Sequence, residues 1–254
     1  MLELKNLCAG YGGVEILHNL TYTFDNNKNY CLLGPNGCGK TTLVKAMAAL
    51  IDFSGEVLID GVSVKEMKRR EIASKVAVLS QVSTVYFPYS VYDTVMLGRY
   101  QHMKGSLFGG PKEEDRNKVE ECLRTVNLLD VKDRQIDELS GGQRQRVFLA
   151  HALAQNPEII LLDEPTNHLD IKHQLELMDY LIKWTSEGNH SVIGVMHDIN
   201  LALKLTDNVI FMKEGSFVSS GSFDSIADAT ILKEIYDTDI VEFMKESYGK
   251  WRDK

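Results

Sequence analysis

Gly34-Pro35-Asn36-Gly37-Cys38-Gly39-Lys40-Thr41 sets glycines, a lysine and a hydroxyl between a short apolar run, Tyr30-Cys31-Leu32-Leu33, and a stretch of helical composition, Thr42 to Leu50. Strand, Gly-rich loop and helix in that order satisfy G-x-x-x-x-G-K-[ST] at every defined position. Glycine permits the backbone conformations that turn successive N–H groups toward phosphate oxygens. A helix starting near Lys40 aims the positive end of its dipole at the same place. Lys40 is expected to reach the β- and γ-phosphates, the Thr41 hydroxyl to ligate Mg²⁺, and the whole segment from Gly34 to Thr42 to hold nucleotide.

Ile159-Ile160-Leu161-Leu162-Asp163-Glu164 is a second apolar run, ending in two carboxylates. A parallel strand delivers its C-terminal residues to the ligand crevice of an open α/β sheet. Asp163 is then placed to hold Mg²⁺ through water, and Glu164 to orient and polarise an attacking water. An adjacent Glu suits water as the nucleophile, so hydrolysis is favoured over phosphoryl transfer to another acceptor. Taken alone, Asp-Glu-Pro also reads as a solvated strand end; the loop at Gly34 to Thr41 gives it a partner.

The elements that must carry these residues follow from periodicity. Leu2 to Leu7 and Glu56 to Ile59 read as strands, the second ending in a turn at Asp60-Gly61. Ile159 to Leu162 and Ser191 to Val195 have the length of buried parallel strands. Between about Ser90 and Asn156 the pattern turns helical, with Val119, Cys122, Leu123 and Val126 on one face. Lys104 to Pro111, with three glycines, reads as an exposed loop. The chain is therefore an α/β core interrupted by a helical insertion.

Composition narrows the function. At 254 residues, 44% hydrophobic and 25% charged, the chain fits one large globular domain. A net charge of −8 argues against nucleic acid as a partner. The four cysteines form no CxxC pair, and reduced thiols in the cytosol are the economical reading. The N-terminus alternates like a first strand rather than a signal peptide. No apolar run approaches the roughly 18 residues that span a bilayer, so any membrane role is expected to be peripheral.

Leu139-Ser140-Gly141-Gly142-Gln143 precedes a helical run, Arg144 to Gln155. Ser140 and Gln143 form an S-x-x-Q capping box, and a helix start of this kind is also an anion site. Here the sequence resembles the ATP-binding cassette (ABC) family, whose signature this pentapeptide matches at every position. The resemblance covers nearly the whole chain, with the motifs in the family's order. It implies a P-loop NTPase (RecA-like) core with an antiparallel β subdomain and an inserted helical subdomain. The core is expected over about 1–83 and 157–254, and the helical subdomain over about 84–156, within one ATPase domain spanning 1–254.

What the resemblance implies for single residues goes further. Tyr11 matches the aromatic that stacks on adenine. Gln81 matches the glutamine that links Mg²⁺ and the attacking water to the helical subdomain. Asn167-His168-Leu169-Asp170 matches the loop that signals between subunits, and Asp170 is counted with the nucleotide-binding residues. His197 matches the switch histidine on the γ-phosphate; His168 and His173 read as solvated surface. Ser140 to Gln143 are expected to contact ATP bound to a second subunit, so that a homodimer sandwiches two ATP.

The stretches Ser90 to Tyr100, Asp163 to Asp170 and His197 to Ala202 resemble the importers of ferric siderophores, haem and cobalamin. Gln101 departs from the proline common after Gly-Arg-aromatic in that group. Separate polytopic permease subunits are expected to dock on the region from Gln81 to Arg99 at the cytoplasmic face, with a substrate-binding protein engaged indirectly. Tyr86, Phe87, Tyr89 and Tyr92 either anchor that contact or pack the helical insertion. A molybdate or other small-cargo importer, and a soluble assembly-type ABC ATPase, stand as alternatives. Cys38, beside Lys40, is expected to make thiol reagents inhibitory.

Overall fold

Strand β1 (Leu2–Tyr11) buries Leu2, Leu4 and Leu7 and turns into β2 (Val14–Phe24) through Gly12-Gly13. Both glycines have positive φ, 59° and 82°, as a tight two-residue hairpin loop demands. Next come β3 (Tyr30–Leu33), fully buried, and α1 (Lys40–Met47). The hairpin of β4 (Phe53–Ile59) and β5 (Val62–Ser63) follows, then α2 (Arg69–Lys75) and β6 (Val76–Ser80). Among the described residues, three α-helices lie between β6 and the next strand: α3 (Val91–Leu97), α4 (Glu113–Thr125) and α5 (Gly141–Ala154). The chain then alternates through β7 (Ile159–Asp163), α6 (Ile171–Ser186), β8 (Ser191–Val195), α7 (Ile199–Leu205), β9 (Asn208–Lys213) and β10 (Ser216–Ser222). It closes with α8 (Phe223–Ile226), α9 (Ala229–Tyr236) and α10 (Ile240–Trp251). The computed structural model describes residues 1–80, 89–103, 110–167 and 169–252.

These strands form a four-stranded antiparallel sheet, β2-β1-β4-β5, and a six-stranded sheet, β10-β9-β3-β8-β7-β6. The second is parallel from β9 to β6, with β10 alone antiparallel. Strands buried on both faces need no polar alternation, which is why β3, β7 and β8 read as short unbroken apolar runs. One face (Leu32, Leu161, Ile193, Ile210) packs against α1 and the antiparallel sheet. The other (Leu33, Ile160, Leu162, Val209) packs against the helices, and α4 contributes Val119, Cys122 and Leu123, with Val126 just past its end, as their spacing predicts.

Strand order decides what can meet. β8 lies between β3, which feeds the glycine loop, and β7, which carries the carboxylates. Parallel pairing brings the C-terminal ends of all three to the same edge.

Candidate nucleotide-hydrolysis site

The glycine loop leaves β3 at Gly34, whose φ of +152° and tight surroundings exclude other residues: an added Cβ would lie 2.1 Å from the Met212 carbonyl oxygen on β9. Gly39, with φ +101°, caps α1. Lys40 is only 4% exposed. Its Nζ donates to the carbonyls of Gly34 and Pro35, each at 2.8 Å, so the ammonium is parked across its own loop. Cys38 packs into the core beneath, its Sγ 3.7 Å from Nζ. Burial therefore works against the expected attack of thiol reagents at Cys38.

The loop is also braced from behind. Gly215, in the β9–β10 turn, donates its N–H to the Cys38 carbonyl at 3.1 Å and accepts from His18 N–H of β2 at 3.0 Å. An added Cβ on Gly215 would lie 1.9 Å from the Ile16 carbonyl oxygen. In the sequence Glu214-Gly215 signals only a turn; its seat against the phosphate loop comes from the sheet order.

Across the edge, Thr41 Oγ1 donates to Asp163 Oδ1 at 2.7 Å. Burial pushes the Asp163 carboxyl above the usual range, the Thr41 hydrogen bond opposes this, and the Glu164 charge adds to it. Glu164 takes a left-handed turn, φ +52°, a conformation that costs a non-glycine residue energy and recurs at functional sites. The turn carries its carboxylate off the line of β7. Oε1 lies 2.6 Å from His197 Nε2, and Oε2 accepts from Asn167 Nδ2 at 2.6 Å. Asn36, Gly37, Gly39, Lys40, Thr41 and Thr42 face Glu164, Asn167 and His197 around one cavity of about 530 Å³.

Ile16 of β2 completes the cavity wall. Neither Ile16 nor the Asn167–Glu164 bond was predicted. Asn167 was read only within the intersubunit loop, although a contact from i to i+3 across a turn is within reach of that spacing.

Mg²⁺ takes oxygen ligands and is usually shared between one or two protein groups, substrate phosphates and water. Thr41 Oγ1 and Asp163 Oδ1, two oxygens already in contact beside the cavity, fit that donor set.

Other predicted residues lie elsewhere. Ser140 and Gln143 make the reciprocal capping box at the start of α5, on an exposed turn outside the cavity. Asp170 caps α6, accepting from the His173 backbone N–H at 3.0 Å and lying 2.7 Å from its Nδ1. His173 is thus a partnered, half-buried side chain rather than free surface. Tyr11 is 45% exposed at the end of β1, with Lys45 Nζ 6.0 Å from its ring centre. Gln81, Tyr86, Phe87 and His168, together with most of the Lys104 to Pro111 loop, lie outside the described residues. Tyr92 packs against the helical core with Lys132 over its ring.

A parallel sheet whose central strands present a phosphate loop, a hydroxyl–carboxylate pair and a glutamate between histidine and asparagine defines a P-loop ATPase cassette. Residues 17–167 match the family described as ABC transporter. The chain is 36% identical to the petrobactin import ATP-binding protein YclP of Bacillus subtilis (strain 168), with 94% of each covered. It is 35% identical to the iron(3+)-hydroxamate import ATP-binding protein FhuC of the same organism, over 94% of this chain and 88% of that one. Its fold superimposes on the dimeric bacterial ABC transporter cassette MJ0796 with a TM-score of 0.76 and 31% identity, covering 87% and 98% of the two chains. That cassette is also known as a dimer in a post-hydrolysis state bound to ADP and Pi. The chain belongs to the ABC transporter family, and it is an ATP-binding ATPase.

Proposed function

We propose that this chain is the ATP-hydrolysing subunit of an importer, working as a dimer on separate membrane subunits, with a ferric siderophore or related chelate as cargo. The observation that carries the catalytic half is the Glu164 carboxylate, gripped by His197 and Asn167 and facing Lys40 and Thr41 across one cavity. The import half is supported by relatives named for uptake of petrobactin and ferric hydroxamates along nearly their whole length. Haem, cobalamin or another small cargo would use the same motor.

ATP phosphates settle on the N–H groups that open α1, and Lys40 leaves the Gly34 and Pro35 carbonyls for the β- and γ-phosphates. Tyr11 stacks on adenine. When bound with ATP, Mg²⁺ held by Thr41 and Asp163 would offset phosphate charge. A second subunit closes over the γ-phosphate with Ser140 to Gln143, and Asp170 lines that junction. Water held by Glu164 attacks the γ-phosphorus while the bond to the ADP oxygen breaks. Glu164 receives the water proton and His197 holds the γ-phosphate. Catalysis is positioning and charge stabilisation.

The division into a core of about 1–83 and 157–254 and a helical unit of about 84–156 supplies the moving parts, with Gln81 at their junction. Tyr89, Leu97 and Tyr100 are exposed apolar side chains around α3 and suit contact with a permease. Among the described residues no helix is long and apolar enough to cross a membrane, in keeping with a peripheral place on the cytoplasmic face.

The test is Glu164→Gln. The variant should bind ATP, accumulate as a dimer on size exclusion, and turn over roughly 10²-fold or more slowly. Cells lacking the gene should lose uptake of a radiolabelled ferric chelate and recover it with wild type but not with Glu164→Gln. Near-normal hydrolysis would remove Glu164 from its role; intact uptake would leave an ATPase with another cargo or an assembly role.

A further inference from the structure

The ring of His173 lies against Gly142. An added Cβ at Gly142 would fall 2.5 Å from His173 Cδ2, 2.7 Å from Cγ and 2.8 Å from Nε2. Gly142 is the second glycine of the signature turn, on α5 of the helical insertion, whereas His173 stands in the first turn of α6, on the core. The ring is not free to swing away. Its Nδ1 is 2.7 Å from Asp170 Oδ1, and the same oxygen accepts the His173 backbone N–H. One carboxylate therefore fixes both ends of the residue.

We propose that His173 is a positioning residue for the signature turn, acting as the stop that sets how closely α5 approaches the core within one subunit. The ring leaves no room for a Cβ at this position, so only glycine fits opposite it. Gly142 is buried under this ring while Ser140 and Gly141 remain exposed. The stop thus sits under one residue of the turn and leaves its outer edge free for a second subunit. Gln145 Nε2 on α5 and Glu176 Oε2 on α6 are buried with no hydrogen-bond partner among the described residues. Because Asp170 belongs to the loop that starts near the catalytic carboxylate, the stop also ties the height of the signature turn to the position of that loop.

This inference rests on the reading that the signature turn acts in turnover, and a double-substitution cycle separates the two. Gly142→Ala should lower ATP turnover by about tenfold or more, by driving a methyl into the ring. His173→Ala should restore most of that loss in the double variant, as a space-creating partner. ATP affinity of His173→Ala, measured with a fluorescent nucleotide, should stay near wild type, since the phosphate loop and the signature turn keep their own residues. Thermal melting should follow the same cycle: a lower midpoint in Gly142→Ala, recovered in the double variant. An equal loss of turnover by Gly142→Ala in both backgrounds overturns the stop while leaving the signature reading intact. Wild-type turnover by Gly142→Ala overturns both.

Discussion

His197 Nε2 stands 2.6 Å from Glu164 Oε1, although the two residues follow different strands of the parallel sheet. The second carboxylate oxygen is taken by Asn167 at 2.6 Å, so the side chain proposed to receive the water proton is oriented from both sides. Asn167→Ala should free one oxygen and lower kcat by roughly tenfold, with little change in KM for ATP, as for an interaction that matters only when water is positioned. A raised KM at unchanged kcat would place Asn167 in nucleotide binding instead.

Asp163 gives a stability signal with a definite sign. Its carboxyl is held above the ordinary range mainly by burial, so the folded state binds the proton more tightly than the unfolded chain. Stability from this group is greatest below the ordinary carboxylate pKa and falls as pH rises through the folded value. Asp163→Asn, which keeps an acceptor for Thr41, should therefore raise the melting temperature at neutral pH. The gain should shrink as the pH falls into the acid range. An equal gain at both pH values would contradict a titrating Asp163.

Arg99 and Asp115 form a buried ion pair, Nε to Oδ1 at 3.1 Å, with the residues 6% and 4% exposed. Arg99 also donates to the Ala154 carbonyl at 2.8 Å, tying the end of α3 to α4 and to the C-terminus of α5. Arg99→Ala strands a buried carboxylate and should destabilise by about 3–5 kcal/mol in urea unfolding. Arg99→Met with Asp115→Leu should recover a large part. No recovery would show that the backbone bond, not the ion pair, holds these helices.

Thiol chemistry should follow burial. Cys31 is pushed up to about 12 and Cys122 to about 11 by burial, and Cys38 is only 4% exposed, whereas Cys8 is partly open. An aromatic disulfide reagent at pH 8 should modify Cys8 quickly in the native protein and all four cysteines after unfolding, with ATP turnover unaffected by the first event. Rapid native loss of activity through Cys38 would reverse this.

The motifs behind the proposed chemistry were legible in the linear order. Gly34 to Thr41 and Asp163-Glu164 need only short-range features: glycines where backbone must approach phosphate, and carboxylates at the end of an apolar run. The capping box of Ser140 and Gln143 is equally local, and so was the helical face of Val119 to Val126. Contacts that depend on which strands are neighbours were not legible. Gly215 behind the phosphate loop and Ile16 in the cavity wall arise because β9 flanks β3 and because the antiparallel sheet packs over it. His173 is the sharpest case. Its spacing showed no metal pair and suggested plain surface, yet the approach of α6 to α5 sets its ring on Gly142. By itself the sequence determined which groups are candidates to meet phosphate and water, because backbone conformation and strand polarity act over a few residues. Only the tertiary structure decided what holds those groups in place, because that depends on packing between elements far apart along the chain.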